Sequence, residues 1–270
     1  MKITFLGTGT SYGVPFVACD CAVCTSADAR NNRLRASILV DVEDEVQAES
    51  EAENGESSTR ILIDTTPDLR QQMLRENVRH LSAVLWTHWH NDHIIGLDDL
   101  RPICNRIGYI PGFADQSTSD KLRGIFDYAF VPDREANFPR VTLRTLAPLE
   151  SVQINNVRVT PIPIRHGKRT IFAYRLESAN RVLVYATDCS HIPDESRALM
   201  QNADMLILGA LRRQPHPAHF SLSEALHEVE ALGAKRAFFT HIAHDLEHDE
   251  TNATLPQNVQ LAFDGLSVEI

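Results

Sequence analysis

Seven consecutive residues, Thr87-His88-Trp89-His90-Asn91-Asp92-His93, follow directly on the apolar run Ala83-Val84-Leu85-Trp86. Three histidines and an aspartate in so short a span cannot all find partners in a core, whereas a loop at a strand end is where reactive groups are usually mounted. The chain therefore has to fold so that a buried strand opens onto a polar site. The spacing also divides naturally. His88 and His90 can converge on one cation while Asp92 and His93 reach a second, and two cations about 3.5–4 Å apart form a clamp suited to hydrolysis.

Three further strand ends supply what four ligands leave open. Pro161-Ile162-Pro163-Ile164-Arg165-His166-Gly167 ends in a histidine, Val182-Leu183-Val184-Tyr185-Ala186-Thr187-Asp188 in an aspartate, and Ala237-Phe238-Phe239-Thr240-His241 in a histidine. An aspartate at the second of these places is suited to bridging two cations with its two oxygens. Each residue alone would serve equally well as a hydrogen-bonded polar group, but all of them together form a far more specific pattern.

Around these points the 270 residues alternate short β-rich runs with amphipathic stretches. The pattern predicts strands at Lys2 to Leu6, Ala36 to Val42, Arg60 to Ile63, Ala83 to Trp86, Val157 to Ile164, Ile171 to Leu176, Arg181 to Ala186, Met205 to Leu208 and Ala237 to Thr240. Helices are predicted to begin near Pro67, Asp98, Ser117, Pro193 and Ser221. Strands outnumber helices, and neither an internal repeat nor a linker interrupts the series. The expectation is an α+β chain forming one domain over 1–270, with packed sheets and helices outside. The stretch Glu43 through Ser58, rich in Glu, Ser and Ala, reads as a flexible acidic loop at 43–59 joining two hairpin strands.

Composition narrows the function. The 26 Lys and Arg against 36 Asp and Glu leave a formal charge of -10, which argues against a broad nucleic-acid surface and points to a small partner. No run approaches the roughly 18 apolar residues of a membrane helix, and Met1 to Phe5 reads as a strand, so a cytoplasmic location is expected. Twelve histidines are the informative excess. Cys19, Cys21 and Cys24 stand too close for a disulfide framework and suit thiolates on one ion in a reducing compartment.

In His-x-His-x-Asp-His followed by His, Asp and His, the chain resembles the metallo-β-lactamase superfamily. That resemblance implies an αββα sandwich of two mixed sheets and a dinuclear centre held by His88, His90, Asp92, His93, His166, Asp188 and His241. Four further segments, Gly7-Thr8-Gly9-Thr10-Ser11, Cys19-x-Cys21-x-x-Cys24, Asn32-Arg33-Leu34-Arg35-Ala36-Ser37 and Gly96-Leu97-Asp98-Asp99-Leu100-Arg101, look like the PhnP-like branch of phosphoribosyl cyclic phosphodiesterases. The branch implies two divalent active-site metals, manganese or zinc, and a structural zinc on Cys19, Cys21, Cys24 and His244. It also implies that His219, just before a helix from Ser221 to Leu232, protonates the leaving oxygen, with His216 as the fallback. Two features depart from the branch: the acidic loop, and Trp89 where smaller residues are common.

The reading that results is a metal-dependent phosphodiesterase acting on a small cyclic phosphodiester of the ribose cyclic phosphate type. A metal-bridging hydroxide attacks phosphorus, Asp92 orients it and takes its proton, and His219 acts as the acid. The implied partners are that substrate and, at most, a second copy of the chain in a homodimer. The rivals are a nuclease of the tRNase Z type, for which no basic gripping arm is visible, and a non-catalytic or biosynthetic relative resembling PqqB. Arg33, Arg35 and Arg101 are candidates to contact phosphate, with structural ion pairing equally open. Gly7 to Ser11 lacks a Gly-Lys-Ser/Thr ending and reads as a tight turn.

Overall fold

The structure, a computed structural model, describes residues 1–43, 58–130 and 138–270. Strands β1 (Lys2–Gly7), β2 (Ser37–Glu43), β3 (Ser58–Ile63), β4 (Ala83–Leu85), β5 (Ile110–Ala114) and β6 (Val141–Thr145) belong to the first sheet. The second holds β7 (Val152–Ile154), β8 (Val157–His166), β9 (Arg169–Ser178), β10 (Arg181–Ala186), β11 (Met205–Gly209), β12 (Arg236–Thr240) and β13 (Val259–Leu261). The last strand, β14 (Ser267–Glu269), returns to the first sheet. The orders are β14-β1-β2-β3-β4-β5-β6 and β13-β12-β11-β10-β9-β8-β7.

Side-chain alternation explains why the long strands read as unbroken apolar runs. In β2, Ile38, Val40 and Val42 face the other sheet while Leu39 faces outward; in β10, Leu183 and Tyr185 face inward while Val184 and Ala186 face outward. Both faces are covered, so both must be apolar. The inner core holds Phe5, Tyr174 and Phe238, where truncation to alanine typically costs 3–5 kcal/mol. On the outside of the first sheet pack helices α1 (Leu69–Arg75), α3 (Arg101–Ile107) and α4 (Gln116–Ile125). Between α1 and α3 lies the single turn α2 (Asn91–Ile94). Helices α5 (Asp194–Met200) and α6 (Leu222–Leu232) cover the second sheet, and α7 (His248–Asn252) follows β12. The architecture is the predicted α+β pair of mixed sheets with outer helices.

The sequence pattern missed five strands. β7, β13 and β14 are three residues long, too short to show periodicity, and β5 carries Pro111 and Gly112, which weaken a strand signal. Helix α1 starts at Leu69, with Asp68 at its N-cap, next to the predicted start near Pro67. The helix expected at Asp98 is a 3-10 turn, Ile95–Leu100, running into α3. Strand β4 stops at Leu85, leaving Trp86 outside it. Strands β2 and β3 pair antiparallel with Glu43 opposite Ser58, while 44–57, the body of the predicted acidic loop, lie outside the described residues.

A topological repeat is present that the sequence does not show. In each sheet three antiparallel pairings are followed by three parallel ones, with β3 and β10 at the switch. Strand β8 runs antiparallel to β9, and β9 antiparallel to β10, so β8, β10 and β12 all end at the same edge. That shared edge is where His166, Asp188 and His241 meet the loop after β4.

Candidate metal centre

The loop after β4 is shaped by the turn of α2. His90 caps it in extended conformation, and its carbonyl accepts from the N–H of His93 at 2.9 Å and of Ile94 at 3.2 Å, which swings Asp92 and His93 back beside His88. The β3–α1 connection clamps the loop from below: Thr65 donates its N–H to the His93 carbonyl at 2.8 Å, and Gly96 donates to Thr65 at 3.0 Å. A Cβ on Gly96 would stand 1.9 Å from the Thr66 carbonyl oxygen, so this approach requires glycine. From the second sheet, Phe172 donates its N–H to the Thr87 carbonyl at 3.0 Å.

The seven sequence-derived residues come together as two sets of four ligand atoms, each set lying within 4.8 Å. His88, His90, His166 and Asp188 form one; Asp92, His93, Asp188 and His241 form the other. Asp188 divides its carboxylate between them. Its Oδ1 lies 3.4 Å from His93 Nε2 and 3.2 Å from His241 Nε2, while Oδ2 lies 3.7 Å from His88 Nε2 and 3.9 Å from His166 Nε2. His90 enters through Nδ1, 3.0 Å from His88 Nε2. Four donors about 2.0–2.2 Å from one ion stand about 3.3 Å apart, near the spacing found here.

The chemistry of the donors calls for cations. Asp64, Asp92 and Asp188 are buried close to one another, and among the described residues no lysine or arginine pairs with any of the three, an arrangement whose repulsion calls for positive charge to offset it. His93 Nε2 and both ring nitrogens of His241 are buried without a hydrogen-bond partner. Burial pushes His88 well below the ordinary histidine range, leaving it neutral as a ligand must be. Burial alone would lower His93 too, but the carboxylates of Asp92, Asp188 and Asp64 outweigh it and raise the group well above that range. Three nitrogens and one oxygen in the first set, and two of each in the second, suit divalent ions such as zinc or manganese.

Outer partners fix the rings. His166 Nδ1 donates to the Ala218 carbonyl at 2.8 Å, His88 Nδ1 lies 3.1 Å from Thr87 Oγ1, and Thr187 Oγ1 donates to Asp188 Oδ1 at 2.8 Å. His93 Nδ1 donates to Asp64 Oδ2 at 2.8 Å, and Asp64 also accepts from the N–H and hydroxyl of Thr87, each at 2.8 Å. Sequence reasoning missed Asp64. The signal was available, since it ends the strand Ser58–Ile63 as Asp188 ends its own. Asp64, Asp188 and His241 all adopt positive φ (67°, 51° and 57°), a strained backbone at the points where side chains must turn inward.

Cys19, Cys21, Cys24 and His244 form a third group. The three sulfurs lie 3.3, 3.5 and 3.4 Å from a single atom, His244 Nδ1. One nitrogen cannot hydrogen-bond three thiols at once, whereas four donors around a zinc are spaced in this way. Phe16 stacks on His244 with ring centres 3.9 Å apart, and its N–H points at Cys24 Sγ at 3.3 Å. Residues 19–24 are thereby joined to a loop that begins at His241.

His219 lies outside the ligand atoms. Its ring centre is 4.7 Å from that of His166 and 4.8 Å from that of His241, on the loop leading to α6. The helix is fixed by a capping box between Ser221 and Glu224. His216 accepts from the Ala218 N–H at 3.2 Å. The three candidate arginines are engaged elsewhere: buried Arg33 on Thr8 and the Ala262 carbonyl, Arg35 on Asp68, Arg101 on Asp98. Gly7 is a close-approach residue, with a Cβ there meeting the Arg35 carbonyl oxygen at 2.0 Å.

The family model for a beta-lactamase superfamily domain matches residues 59–242. The chain belongs to the metallo-β-lactamase superfamily. A solved structure of a diphosphatase from the PhnP family is 40% identical, covers 99% of this chain and 96% of its own, and superposes with a TM-score of 0.85. An octanoyltransferase of Porphyromonas gingivalis is 32% identical over 272 residues, spanning 100% of this chain but 52% of that protein, so the chain spans about half that relative's length. Coenzyme PQQ synthesis protein B of Methylobacterium radiotolerans is 26% identical over 230 residues, covering 77% of this chain and 72% of its own. Over nearly its whole length the chain is thus similar to a PhnP-family protein, and its His and Asp sets are arranged as a metal-binding centre of this superfamily. Among the described residues no helix is long and apolar enough to cross a membrane.

Proposed function

We propose that this chain is a dinuclear phosphodiesterase acting on small phosphoric diesters, ribose cyclic phosphates among them, and that Cys19, Cys21, Cys24 and His244 hold a separate structural zinc. The observation that carries the reading is the Asp188 carboxylate, with one oxygen in each of two ligand sets. When bound, two divalent cations would supply a water activated at neutral pH and neutralise charge on the phosphoryl oxygens. Asp92 stands at the edge of the cluster, where its carboxylate orients the attacking water and takes its proton. His219 protonates the departing oxygen. In the free protein burial pushes His219 down to about 3, and an anionic phosphodiester beside it favours the protonated form.

The octanoyltransferase likeness does not favour acyl transfer here. Cys189, beside Asp188, is fully buried with its thiol pushed up by desolvation, and Ser190 directs its hydroxyl to the Arg165 carbonyl. Neither is a free nucleophile.

Hydrolysis of bis-p-nitrophenyl phosphate with and without Mn²⁺ tests the reading. Metal-loaded protein that leaves this ester and a panel of cyclic phosphodiesters intact would point instead to a biosynthetic, PqqB-like role. His219→Ala is expected to keep its metal and to lose about 10²–10⁴-fold in rate on a ribose cyclic phosphodiester, with a much smaller loss on the aryl ester, whose leaving group needs no proton. Equal losses on both substrates would remove His219 from the acid role.

A further inference from the structure

Each ligand set takes two residues from each sheet. His88 and His90, on the loop after β4, meet His166 and Asp188 from the ends of β8 and β10; Asp92 and His93, on the same loop, meet Asp188 and His241. The separation of the sheets at this edge therefore sets the donor spacing of both sets. Strand β9 supplies none of the seven residues and lies between β8 and β10. Its pairing with β10 runs from Ser178 to Tyr174, whereas its pairing with β8 continues to Arg169. Past Tyr174, the Phe172 N–H bonds instead across to the first sheet, to the Thr87 carbonyl at 3.0 Å. Tyr174 holds the carbonyl before it: its hydroxyl donates to the Trp86 oxygen at 2.8 Å, and both side chains are fully buried.

We propose that Tyr174 is a positioning residue of the metal centre, its hydroxyl tying the root of the His88–His93 loop to β9 and so fixing the distance between the ligands of the two sheets. The proposal rests on reading the two sets as a metal centre and not on the identity of the substrate. Strand β4 ends at Leu85, so the Trp86 carbonyl lies past the strand and turns to a side chain of the opposite sheet. Apolar packing is non-directional, whereas a hydrogen bond specifies both length and angle. Trp86 passes the restraint on. Its Nε1–H donates to Thr65 Oγ1 at 2.9 Å, the Thr65 N–H holds the His93 carbonyl at 2.8 Å, and the Thr65 hydroxyl donates to the Ile94 carbonyl at 3.1 Å. Both ends of the ligand loop thus hang on one buried network.

Tyr185 supplies a matched comparison. It stands directly opposite Tyr174 on β10, is equally buried and belongs to the same core between the sheets. Among the described residues its hydroxyl has no hydrogen-bond partner. The two tyrosines share size, depth and layer, and differ in whether the hydroxyl holds the ligand loop.

The test compares Tyr174→Phe with Tyr185→Phe in zinc-loaded protein, since each keeps the ring and deletes one oxygen. Zinc affinity at the buried cluster is measured by competition with a chelator, and labelling of Cys19, Cys21 and Cys24 by a thiol reagent reports zinc on the cysteine group. Tyr174→Phe is expected to weaken the buried cluster about 10–100-fold for both equivalents while the cysteine group keeps its zinc as wild type does. Tyr185→Phe should shift the buried cluster by no more than about twofold, because deleting an unpaired hydroxyl breaks no bond. Unchanged affinity in Tyr174→Phe, equal losses in the two variants, or a loss shared by the cysteine group, as general loosening of the fold would give, overturns the positioning role. The expected pattern in a protein that hydrolyses no phosphodiester leaves that role standing and overturns the phosphodiesterase reading.

Discussion

Cys19, Cys21 and Cys24 come from one short loop and meet a single distant residue, His244, at a half-exposed place; the His and Asp cluster is buried and gathers from the ends of β4, β8, β10 and β12. The cysteine group offers four donors to one point, leaving nothing open. The other offers seven residues to two points, with His219 beside them. A closed set of soft donors fastens chain segments together, whereas a shared, carboxylate-containing set beside a titratable group is built for chemistry. Local donors can collect before the fold is complete, but the buried set exists only when both sheets are in register.

The sharpest way to break this contrast is Asp188→Ala, which takes a donor from both ligand sets. Metal at the buried cluster should be lost and hydrolysis should fall by more than about 10³-fold, while zinc on the cysteines is retained. A variant that kept two buried equivalents by elemental analysis would show that Asp188 is not shared. Cys21→Ser should act in the opposite sense. We expect a loss of about 3 kcal/mol in unfolding free energy with chemistry per folded molecule largely preserved. An unchanged melting temperature would mean that the cysteine group does not fasten the fold.

Asp64→Asn probes the support of the buried cluster. It keeps the shape but weakens the acceptor facing His93, so metal affinity should drop about 10–100-fold, measurable by competition with a chelator. No change would make Asp64 a packing residue only. The smallest effect is one of slope. With His93 raised by its three carboxylates, binding at the buried cluster displaces about one proton near neutral pH, and affinity rises about tenfold per pH unit until His93 titrates. The cysteine group must lose more. Desolvation pushes the Cys24 thiol up to about 11 while the Cys24 N–H lowers Cys21, so its zinc affinity should climb more steeply with pH. Parallel slopes between pH 6 and 8 would remove the distinction.

The sequence by itself determined the long strands and pointed to the seven His and Asp residues that the fold gathers into two sets. Apolar runs such as Val182 to Ala186 must be buried on both faces, and a histidine or aspartate ending such a run has few roles other than a site. The first ligand loop was legible because its residues are contiguous. Asp64 ends its strand as Asp188 does, but its role is to hold the His93 ring, and that partner is set only by the packed fold. The strands β7, β13 and β14 were missed because three residues carry no period, and their identity comes from the partners they pair with. The repeat of one topology in two sheets left no trace in residue order, since it lies in strand direction rather than side-chain type. Tertiary structure alone decided that one oxygen of Asp188 faces each ligand set and that Arg169 meets Trp89 and His90. Those contacts join residues about 80 to 100 positions apart, and the distance between them is set by how the two sheets pack, which no local pattern encodes.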